Sequence, residues 1–234
     1  MEKIMTPVCR EAVERIESKE YYRIVVFGAS NTDRYMPVVH WSDVLETGLY
    51  VRYNKKFHMI NSGISGNNTR DALQRFDRDV ASFAPDIVII TLAGNDCIPD
   101  PARHVPPEEF AANLERIVAK VRALNAIPIL QTYYKVNYAD VEPVRGKLFA
   151  QYMDIIRETA AKNQVFLVDQ YKYFDALPND IFLYKLMLNS FHVNEYGNMF
   201  IGVNLLHHFG IDPLILNHNE KVLPAIKLYN SIAE

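Results

Sequence analysis

Short apolar runs alternate with helix-length segments along most of this chain. Each run has the length of one strand and is apolar almost throughout, which is typical of a strand covered on both faces. Strands that alternate with helices of about ten or more residues form parallel sheets between layers of helices. The pattern therefore predicts an α/β fold, a three-layer α/β/α sandwich around a central five-stranded parallel sheet. The predicted strands are 22–27, 57–61, 86–92, 127–131 and 165–168, and the predicted helices are 38–51, 69–80, 106–124, 144–162 and 195–209.

The length of 234 residues suits one domain that spans 1–234, because a chain of this size buries about 70 % or more of its unfolded surface. An N-terminal helix is predicted at about 8–19, where apolar residues recur at helical spacing. A C-terminal extension follows at about 211–234. Its apolar residues fit packing either on the domain or on another subunit, so a homo-oligomer is among the expectations.

Charge and cysteine content exclude several classes of function. The net charge is −3 and the Lys and Arg residues are scattered, so we expect no nucleic-acid partner. Residues 1–20 lack the apolar core of a secretion signal, and no stretch reaches the ~20 apolar residues of a membrane span. We therefore expect a cytoplasmic protein without a membrane partner. Cys9 and Cys97 lie far apart and without metal-ligand spacing, so we expect no disulfide, no metal site and no cofactor.

Polar loops follow the first three predicted strands directly. Ser30 lies in the first loop, two glycines lie in the second, and Asn95 lies in the third. In a parallel sheet all three loops lie at the edge where ligands bind. Ser30 is therefore a candidate nucleophile, although a turn is the simpler interpretation of Gly-Ala-Ser-Asn. Ester hydrolysis by a serine needs a base and preorganised donors for the oxyanion, and these loops contain backbone amides and a side-chain amide.

A histidine is the base that such a serine needs. His58 lies in a predicted strand, and His207 and His208 lie in an apolar helix, so structural roles suit these three better. His192 lies in a late polar turn just before a helix, which makes it the best candidate by position. The chain has seven histidines: His40, His58, His104, His192, His207, His208 and His218.

Three sets of side chains near these loops have two interpretations each. Trp41 is more consistent with a core or rim position than with the wall of a substrate pocket. Tyr133, Tyr134 and Tyr138 follow the fourth strand and fit either a sugar-binding or acyl-binding surface or simple packing. Cys97 is more consistent with a buried, inert thiol than with a pocket lining.

Four blocks occur in order across residues 24–209: Phe27-Gly28-Ala29-Ser30-Asn31-Thr32, Asn61-Ser62-Gly63-Ile64-Ser65-Gly66-Asn67, Gly94-Asn95-Asp96, and Ser190-Phe191-His192 with Gly197. This set resembles the conserved blocks of the SGNH hydrolases, the superfamily of GDSL esterases and lipases. The resemblance implies a flavodoxin-like SGNH hydrolase fold and the activity of a serine esterase.

By this resemblance Ser30 is the nucleophile, and His192 is the general base that later protonates the leaving alcohol. The oxyanion hole is formed by the amide of Ser30, the amide of Gly66 and the side chain of Asn95. Ala29 departs from the family pattern, because an aspartate usually precedes the serine. The role of that aspartate is largely structural.

The position three residues before His192 is a more serious departure. Asn189 replaces an aspartate that orients the imidazole and stabilises its charged form. In one hypothesis Asn189 orients His192 through its carbonyl oxygen in a Ser-His dyad. In a second, another acid such as Glu195 or Asp180 substitutes, and in a third the protein has lost activity. We favour a working but slow dyad, with Ser30, His192 and Asn189 as the catalytic set.

Within the superfamily the run 61–71 is most similar to intracellular carbohydrate esterases that remove acetyl groups from sugars. The expected partner is a small acyl ester such as an acetylated sugar, cleaved through an acyl-enzyme on Ser30. Lysophospholipases and thioesterases share the blocks, and a catalytically weakened sugar-binding protein is the alternative that Asn189 suggests. A nucleotide or flavin binder also places polar loops at strand ends, but neither G-x-G-x-x-G nor a P-loop occurs.

Overall fold

A parallel sheet lies at the centre of the computed structural model, which describes residues 8–34, 39–54, 56–217 and 219–232. Its strands are β1 (Tyr21–Gly28), β2 (Lys56–Gly63), β3 (Ile87–Thr91), β4 (Ile127–Gln131) and β5 (Phe166–Val168). The strand order is β2-β1-β3-β4-β5, so the chain winds outward from β1 in both directions. This confirms the predicted α/β fold with a five-stranded parallel sheet.

The strand register sets the ends of the first three strands level with one another. Gly28 at the end of β1 pairs with Gly63 of β2 and with Thr91 of β3. The loops that follow these strands therefore begin side by side at one edge of the sheet. This is the arrangement predicted from the polar residues after each strand.

Helices cover both faces of the sheet. Along β1, Ile24 and Val26 belong to one buried cluster and Val25 and Phe27 to the other, because successive side chains of a strand point to opposite faces. The helices are α1 (Arg10–Ser18), α2 (Trp41–Tyr53), α3 (Thr69–Asp79), α4 (Pro107–Ala123), α5 (Pro143–Lys162), α6 (Gln170–Asp175), α7 (Asn179–Ile181), α8 (Glu195–His208) and α9 (Leu223–Asn230). The first cluster includes residues of α1, α2, α8 and α9, and the second includes residues of α3, α4 and α5. These layers match the predicted sandwich.

Side-chain caps fix where two helices begin next to the polar loops. At α3 the side chain of Asn68 accepts two backbone N–H groups of the first turn, and Asp71 bonds back to the Asn68 backbone. The helix predicted from residue 38 begins later, at Trp41, because the ring of His40 accepts a backbone N–H of the first turn. Residue 38 itself lies outside the described residues.

The stretch 171–188, whose sequence pattern is mixed, folds into short pieces. The helices α6 and α7 are followed by a π-helical turn at Phe182–Leu186. An antiparallel bridge then pairs Met187 with Val193, and Leu188 N donates to His192 O at 2.8 Å. The chain thus turns back on itself and brings position 189 beside His192.

The C-terminal extension packs on the same side of the sheet as α8. A 3-10 turn at Pro213–Leu216 precedes α9, and Leu216, Val222 and Ile226 are buried in the cluster that contains α8. Residues 1–7, 218 and 233–234 of the predicted termini lie outside the described residues. Among the described helices, none combines the length and the apolar character needed to cross a membrane.

Most of the aromatic residues that could have lined a pocket are buried. Trp41 is 1 % exposed, and Tyr133 and Tyr134 are 3 % and 2 % exposed. Tyr138 is half-buried. Cys97 is fully buried, and burial raises the pKa of its thiol to about 11. Trp41 and Cys97 therefore have the core positions that their residue types favour, and Tyr133 and Tyr134 are buried side chains that do not line an open pocket.

Candidate active site

Ser30 lies in a tight turn directly after β1. The backbone N–H groups of Thr32 and Asp33 both donate to Ala29 O at 2.9 Å, which folds the chain back immediately after the serine. Ser30 is partly exposed, although Ala29 before it is buried. The serine is therefore accessible at the edge of the sheet where the other two polar loops begin.

The fold brings Ser30, His192 and Asn189 together in one hydrogen-bonded chain. His192 Nε2 lies 3.0 Å from Ser30 Oγ, although 162 positions separate the two residues. His192 Nδ1 lies 3.1 Å from Asn189 Oδ1. The contact of Nδ1 is thus with Asn189 and not with Glu195 or Asp180. This geometry fits the hypothesis in which the amide of Asn189 orients the imidazole.

The hydrogen bonds around Asn189 determine which nitrogen of His192 carries the proton. Asn189 Oδ1 accepts from the backbone N–H groups of Phe191 and His192, both at 2.9 Å, so this atom must be the amide oxygen. An oxygen that faces Nδ1 requires a proton on Nδ1. Nε2 is then unprotonated and can accept the proton of the Ser30 hydroxyl. The neutral amide therefore selects the tautomer that a general base needs.

Two effects lower the pKa of His192 below its ordinary value. Burial of the imidazole is the larger effect, and the positive charge of Arg145 is the second. Both disfavour the imidazolium. The free imidazole is thus neutral at neutral pH and able to accept a proton. An imidazolium at this position is stabilised less than it would be beside an aspartate.

Arg145 lies between the loops that carry Asn95 and His192, and the sequence patterns did not identify it. Its Nη2 donates to Gly94 O at 2.9 Å. Its guanidinium carbon lies 3.7 Å from the centre of the Phe191 ring, in a cation–π contact. The first turn of α5 thereby places a positive charge beside the imidazole.

Replacing Arg145 with glutamine is expected to raise the pKa of His192, because the substitution removes that charge. A base with a higher pKa stays protonated up to a higher pH, so the acidic limb of the kcat/KM profile moves to higher pH. The profile is measured with a p-nitrophenyl ester at constant ionic strength. Arg122→Gln is a matched control, since Arg122 also donates to a backbone carbonyl but at the exposed end of α4. A limb that stays in place in Arg145→Gln contradicts this account.

The loop that carries Gly66 and the loop that carries Asn95 are joined by a hydrogen bond. Asn95 Nδ2 donates to Asn67 O at 2.9 Å. A side-chain amide has two N–H groups, so one fixes the side chain and the other is available to a ligand. Gly66 has a φ of +83°, a conformation that favours glycine. Within the described residues the backbone N–H groups of Ser30 and Gly66 donate no hydrogen bond, so both are also available.

The turn that carries Ser30 (the serine turn, 29–33) and the loop that carries Gly66 (the glycine loop, 63–68) pack backbone against backbone. A Cβ at Gly63 would lie 2.2 Å from Asp33 N, so only glycine fits at this end of β2. Across the same contact, Ser65 N and Oγ donate to Asp33 Oδ2 at 3.1 Å and 2.7 Å. The two loops are therefore fixed relative to each other.

Arg75, which the sequence patterns also did not identify, ties two strand ends to the glycine loop. It is buried and projects from α3. Its guanidinium donates to Gly28 O at 2.8 Å, to Ser62 O at 2.9 Å and to Asn67 Oδ1 at 2.6 Å. A signal was present in the sequence: Arg75 lies three residues after Ala72, on the buried face of an amphipathic helix, where a charged group requires partners.

The other histidines of the described residues do not contact the Ser30 hydroxyl. His40 caps α2, and its second ring nitrogen donates to Asn31 O at 3.2 Å. Burial lowers the pKa of His40 to about 4, so the ring stays neutral and supports the residue after the serine. His58 lies in β2, His104 precedes α4, His207 and His208 lie in α8, and His218 lies outside the described residues.

This chain is similar to a protein of known structure. The structure of Axe2, an acetylxylan esterase from Geobacillus stearothermophilus, superposes with a TM-score of 0.72 at 24 % identity, covering 82 % of this chain and 95 % of that one. This likeness confirms the predicted SGNH hydrolase fold.

The relatives of this chain include esterases. An acetylxylan esterase of Geobacillus stearothermophilus is 26 % identical over 160 residues, which are 66 % of this chain and 73 % of that protein. An arylesterase of Vibrio mimicus is 27 % identical over 150 residues, 62 % of this chain and 69 % of that protein. The model of the GDSL-like Lipase/Acylhydrolase family matches residues 26–199. The chain is therefore a carboxylic ester hydrolase that belongs to the GDSL-like lipase/acylhydrolase family, as its four sequence blocks predicted.

Proposed function

We propose that this protein is a serine esterase that removes short acyl groups, acetyl foremost, from a carbohydrate or another small substrate. The observation that carries the proposal is the hydrogen-bonded chain in which His192 Nε2 lies 3.0 Å from Ser30 Oγ. That distance is within the range that proton transfer to a general base requires.

The first half of the reaction forms an acyl-enzyme. Ser30 Oγ attacks the ester carbonyl carbon and its proton moves to His192 Nε2. The negative charge that develops on the carbonyl oxygen is stabilised by the N–H groups of Ser30 and Gly66 and by Asn95 Nδ2. The bond to the alcohol oxygen then breaks, and His192 donates its proton to the departing alcohol. The acyl group remains on Ser30 Oγ.

The second half returns the enzyme to its starting state. A water molecule attacks the acyl carbon and gives a proton to His192 Nε2. The same three donors stabilise the second oxyanion. The bond between the acyl carbon and Ser30 Oγ breaks, His192 returns the proton to Oγ, and the carboxylic acid leaves.

Asn189 holds the imidazole without supplying a negative charge. Catalytic mutants of Axe2 replace a serine, an aspartate or a histidine with alanine, and that aspartate precedes the histidine by three positions, as Asn189 precedes His192. This spacing supports Asn189 as the orienting residue. We infer a Ser-His dyad in which the imidazole has the correct tautomer but the imidazolium is less stabilised. The turnover of such an enzyme is slower than that of an enzyme with an aspartate in the triad.

Replacing Asn189 with aspartate is expected to raise kcat on p-nitrophenyl acetate by about tenfold. The carboxylate can accept the same hydrogen bonds and adds the charge that stabilises the imidazolium. The gain is smaller than the ~10⁴ lost when an amide replaces the aspartate of a serine protease, because here the tautomer is already correct. Asn219→Asp adds the same charge at another exposed turn and serves as the control. A fall of tenfold or more in Asn189→Asp shows that the amide is already optimal, which contradicts this account.

The substrate class is tested with p-nitrophenyl esters of increasing acyl length, followed by acetylated xylo-oligosaccharides. The likeness to an acetylxylan esterase supports the acetyl esters as the best substrates. Release of acetate from the oligosaccharides is the expected result. A preference for octanoyl and lauroyl esters favours instead the lysophospholipase or thioesterase class. Binding of the oligosaccharide without hydrolysis favours a sugar-binding protein and contradicts the proposal.

A further inference from the structure

The hydroxyl of Tyr134 lies at a meeting point of two catalytic loops. Tyr134 follows β4 and is 2 % exposed. Its Oη accepts the backbone N–H of Val193 at 3.1 Å. The same oxygen lies 2.8 Å from Phe191 O and 2.9 Å from Asn31 Oδ1, and its single proton can be donated to either acceptor. The side chain is therefore bonded to residues far apart along the sequence.

These partners are the immediate neighbours of the reacting side chains. Asn31 directly follows Ser30, and Phe191 and Val193 flank His192. We propose that Tyr134 is a positioning residue that sets the separation between the Ser30 hydroxyl and the His192 imidazole. This inference rests on the proposed function, because it assigns a residue to the same reaction, but Tyr134 itself does not touch the reacting atoms.

The hydroxyl of Tyr134 is itself held in place by the core. Its ring packs against Phe174, with ring centres 5.3 Å apart. The hydrogen bonds of Tyr134 to both loops are called the tyrosine bridge below. At the Asn31 end of this bridge, Asn31 O accepts from Trp41 Nε1 at 2.7 Å and from His40 Nε2 at 3.2 Å. The backbone beside Ser30 is thus held by Trp41 and His40. The hydroxyl of Tyr134 links that backbone to the loop that carries His192, called the histidine loop below.

The separation that Tyr134 sets is the one on which proton transfer depends. A general base must lie within about 2.6–3.2 Å of the proton donor. A misplacement of about 1 Å in a catalytic arrangement can lower the rate by about 10²-fold. The hairpin that carries His192 is joined to the serine turn, within the described residues, by the Ser30–His192 contact and by Tyr134. Loss of the hydroxyl is therefore expected to act on the rate of proton transfer.

The test replaces Tyr134 with phenylalanine, which removes only the hydroxyl. The expected result is a fall in kcat on p-nitrophenyl acetate of about ten- to a hundredfold, with KM changed by less than about twofold. Tyr22→Phe is the matched control. Tyr22 is also buried, and its hydroxyl has no hydrogen-bond partner among the described residues. Tyr22 lies near the start of β1, at the end of the strand away from Ser30. The Tyr22→Phe variant is therefore expected to keep the kcat of the wild type.

A second variant removes the partner of Tyr134 in the serine turn, the side chain of Asn31. Asn31→Ala leaves the bonds of Tyr134 to the histidine loop intact and removes its bond to the serine turn. We expect a similar fall in kcat, and a double variant whose loss is smaller than the product of the two single losses, because both act on one bridge. If the loss of kcat in the double variant equals the product of the two single losses, the two residues act independently and the proposal is overturned.

Two further readouts separate positioning from a purely structural role. A structural role lowers the melting temperature of Tyr134→Phe but leaves the kcat of the folded enzyme unchanged, and that result overturns the inference. Crystal structures of the wild type and of Tyr134→Phe give the distance between Ser30 Oγ and His192 Nε2 without reference to activity. If Tyr134 sets the position of His192, this distance exceeds hydrogen-bond range, about 3.2 Å, in the variant only, and an unchanged distance overturns the inference. If the wild type cleaves no ester, the proposed function fails, and the two structures still decide the role of Tyr134.

Discussion

Replacing Ser30 with alanine is expected to lower kcat on p-nitrophenyl acetate by about 10⁴-fold or more. The substitution removes the oxygen that attacks the ester, and His192 Nε2 is left without the hydroxyl that it contacts at 3.0 Å. Binding and the oxyanion donors remain, so a small residual rate above that of water is expected. The turn itself depends on the backbone bonds to Ala29 O, so the fold and the melting temperature should be retained.

The rate is compared with that of Ser82→Ala, a matched control. Ser82 Oγ donates to Arg78 O on the exposed side of α3, so its loss removes a serine hydroxyl without touching the site. Ser82→Ala should match the wild type. A Ser30→Ala variant that retains a tenth or more of the wild-type kcat would mean that another group is the nucleophile, and the assignment of Ser30 would then be wrong.

The second large effect is expected for Asn95→Ala, which should lower kcat by about 10²–10³-fold. One N–H of the Asn95 side chain is used to hold the amide against Asn67 O at 2.9 Å. The second N–H is free to bind the oxyanion. Because this bond strengthens only as negative charge develops, its loss should lower kcat and leave KM nearly unchanged.

A matched control for Asn95 is available at the end of α5. The side-chain Nδ2 of Asn163 also donates to a backbone carbonyl, Thr159 O at 2.9 Å, but remote from the loops of the site. Asn163→Ala is expected to keep the wild-type kcat. If Asn95→Ala raises KM in proportion to its loss of kcat/KM and keeps kcat, then Asn95 binds the ground state and the proposed oxyanion hole lacks its side-chain donor.

The elements of the fold could be predicted closely because the strands are continuous apolar runs. Each predicted strand end lies within two residues of the observed one. The strand order could not be read in the same way, since the apolar runs carry no local signal of which strand neighbours which. The stretch 171–188 was also unpredictable in detail, because short helices and a π-helical turn leave no regular spacing of apolar residues.

The residues of the candidate site could be predicted because each lies in a short block of recognisable composition. The residues that hold them could not. Arg75, Tyr134 and Arg145 act across distances of tens of residues along the chain, and each is defined only by tertiary contacts. Two of them had a usable signal: Arg75 lies on the buried face of an amphipathic helix, and Tyr134 follows β4 at the same edge of the sheet as the polar loops. The tautomer of His192 likewise required the hydrogen bonds around Asn189.

Covalent labelling with a fluorophosphonate tests directly whether His192 activates Ser30 as a nucleophile. The modified residue is identified by peptide mass spectrometry, in the folded wild type and in His192→Ala. If His192 activates Ser30, one adduct forms, on Ser30, readily in the wild type and at least about 10²-fold more slowly without the imidazole. A folded wild type that forms no adduct on Ser30, or that is labelled at another residue, would contradict this activation of Ser30.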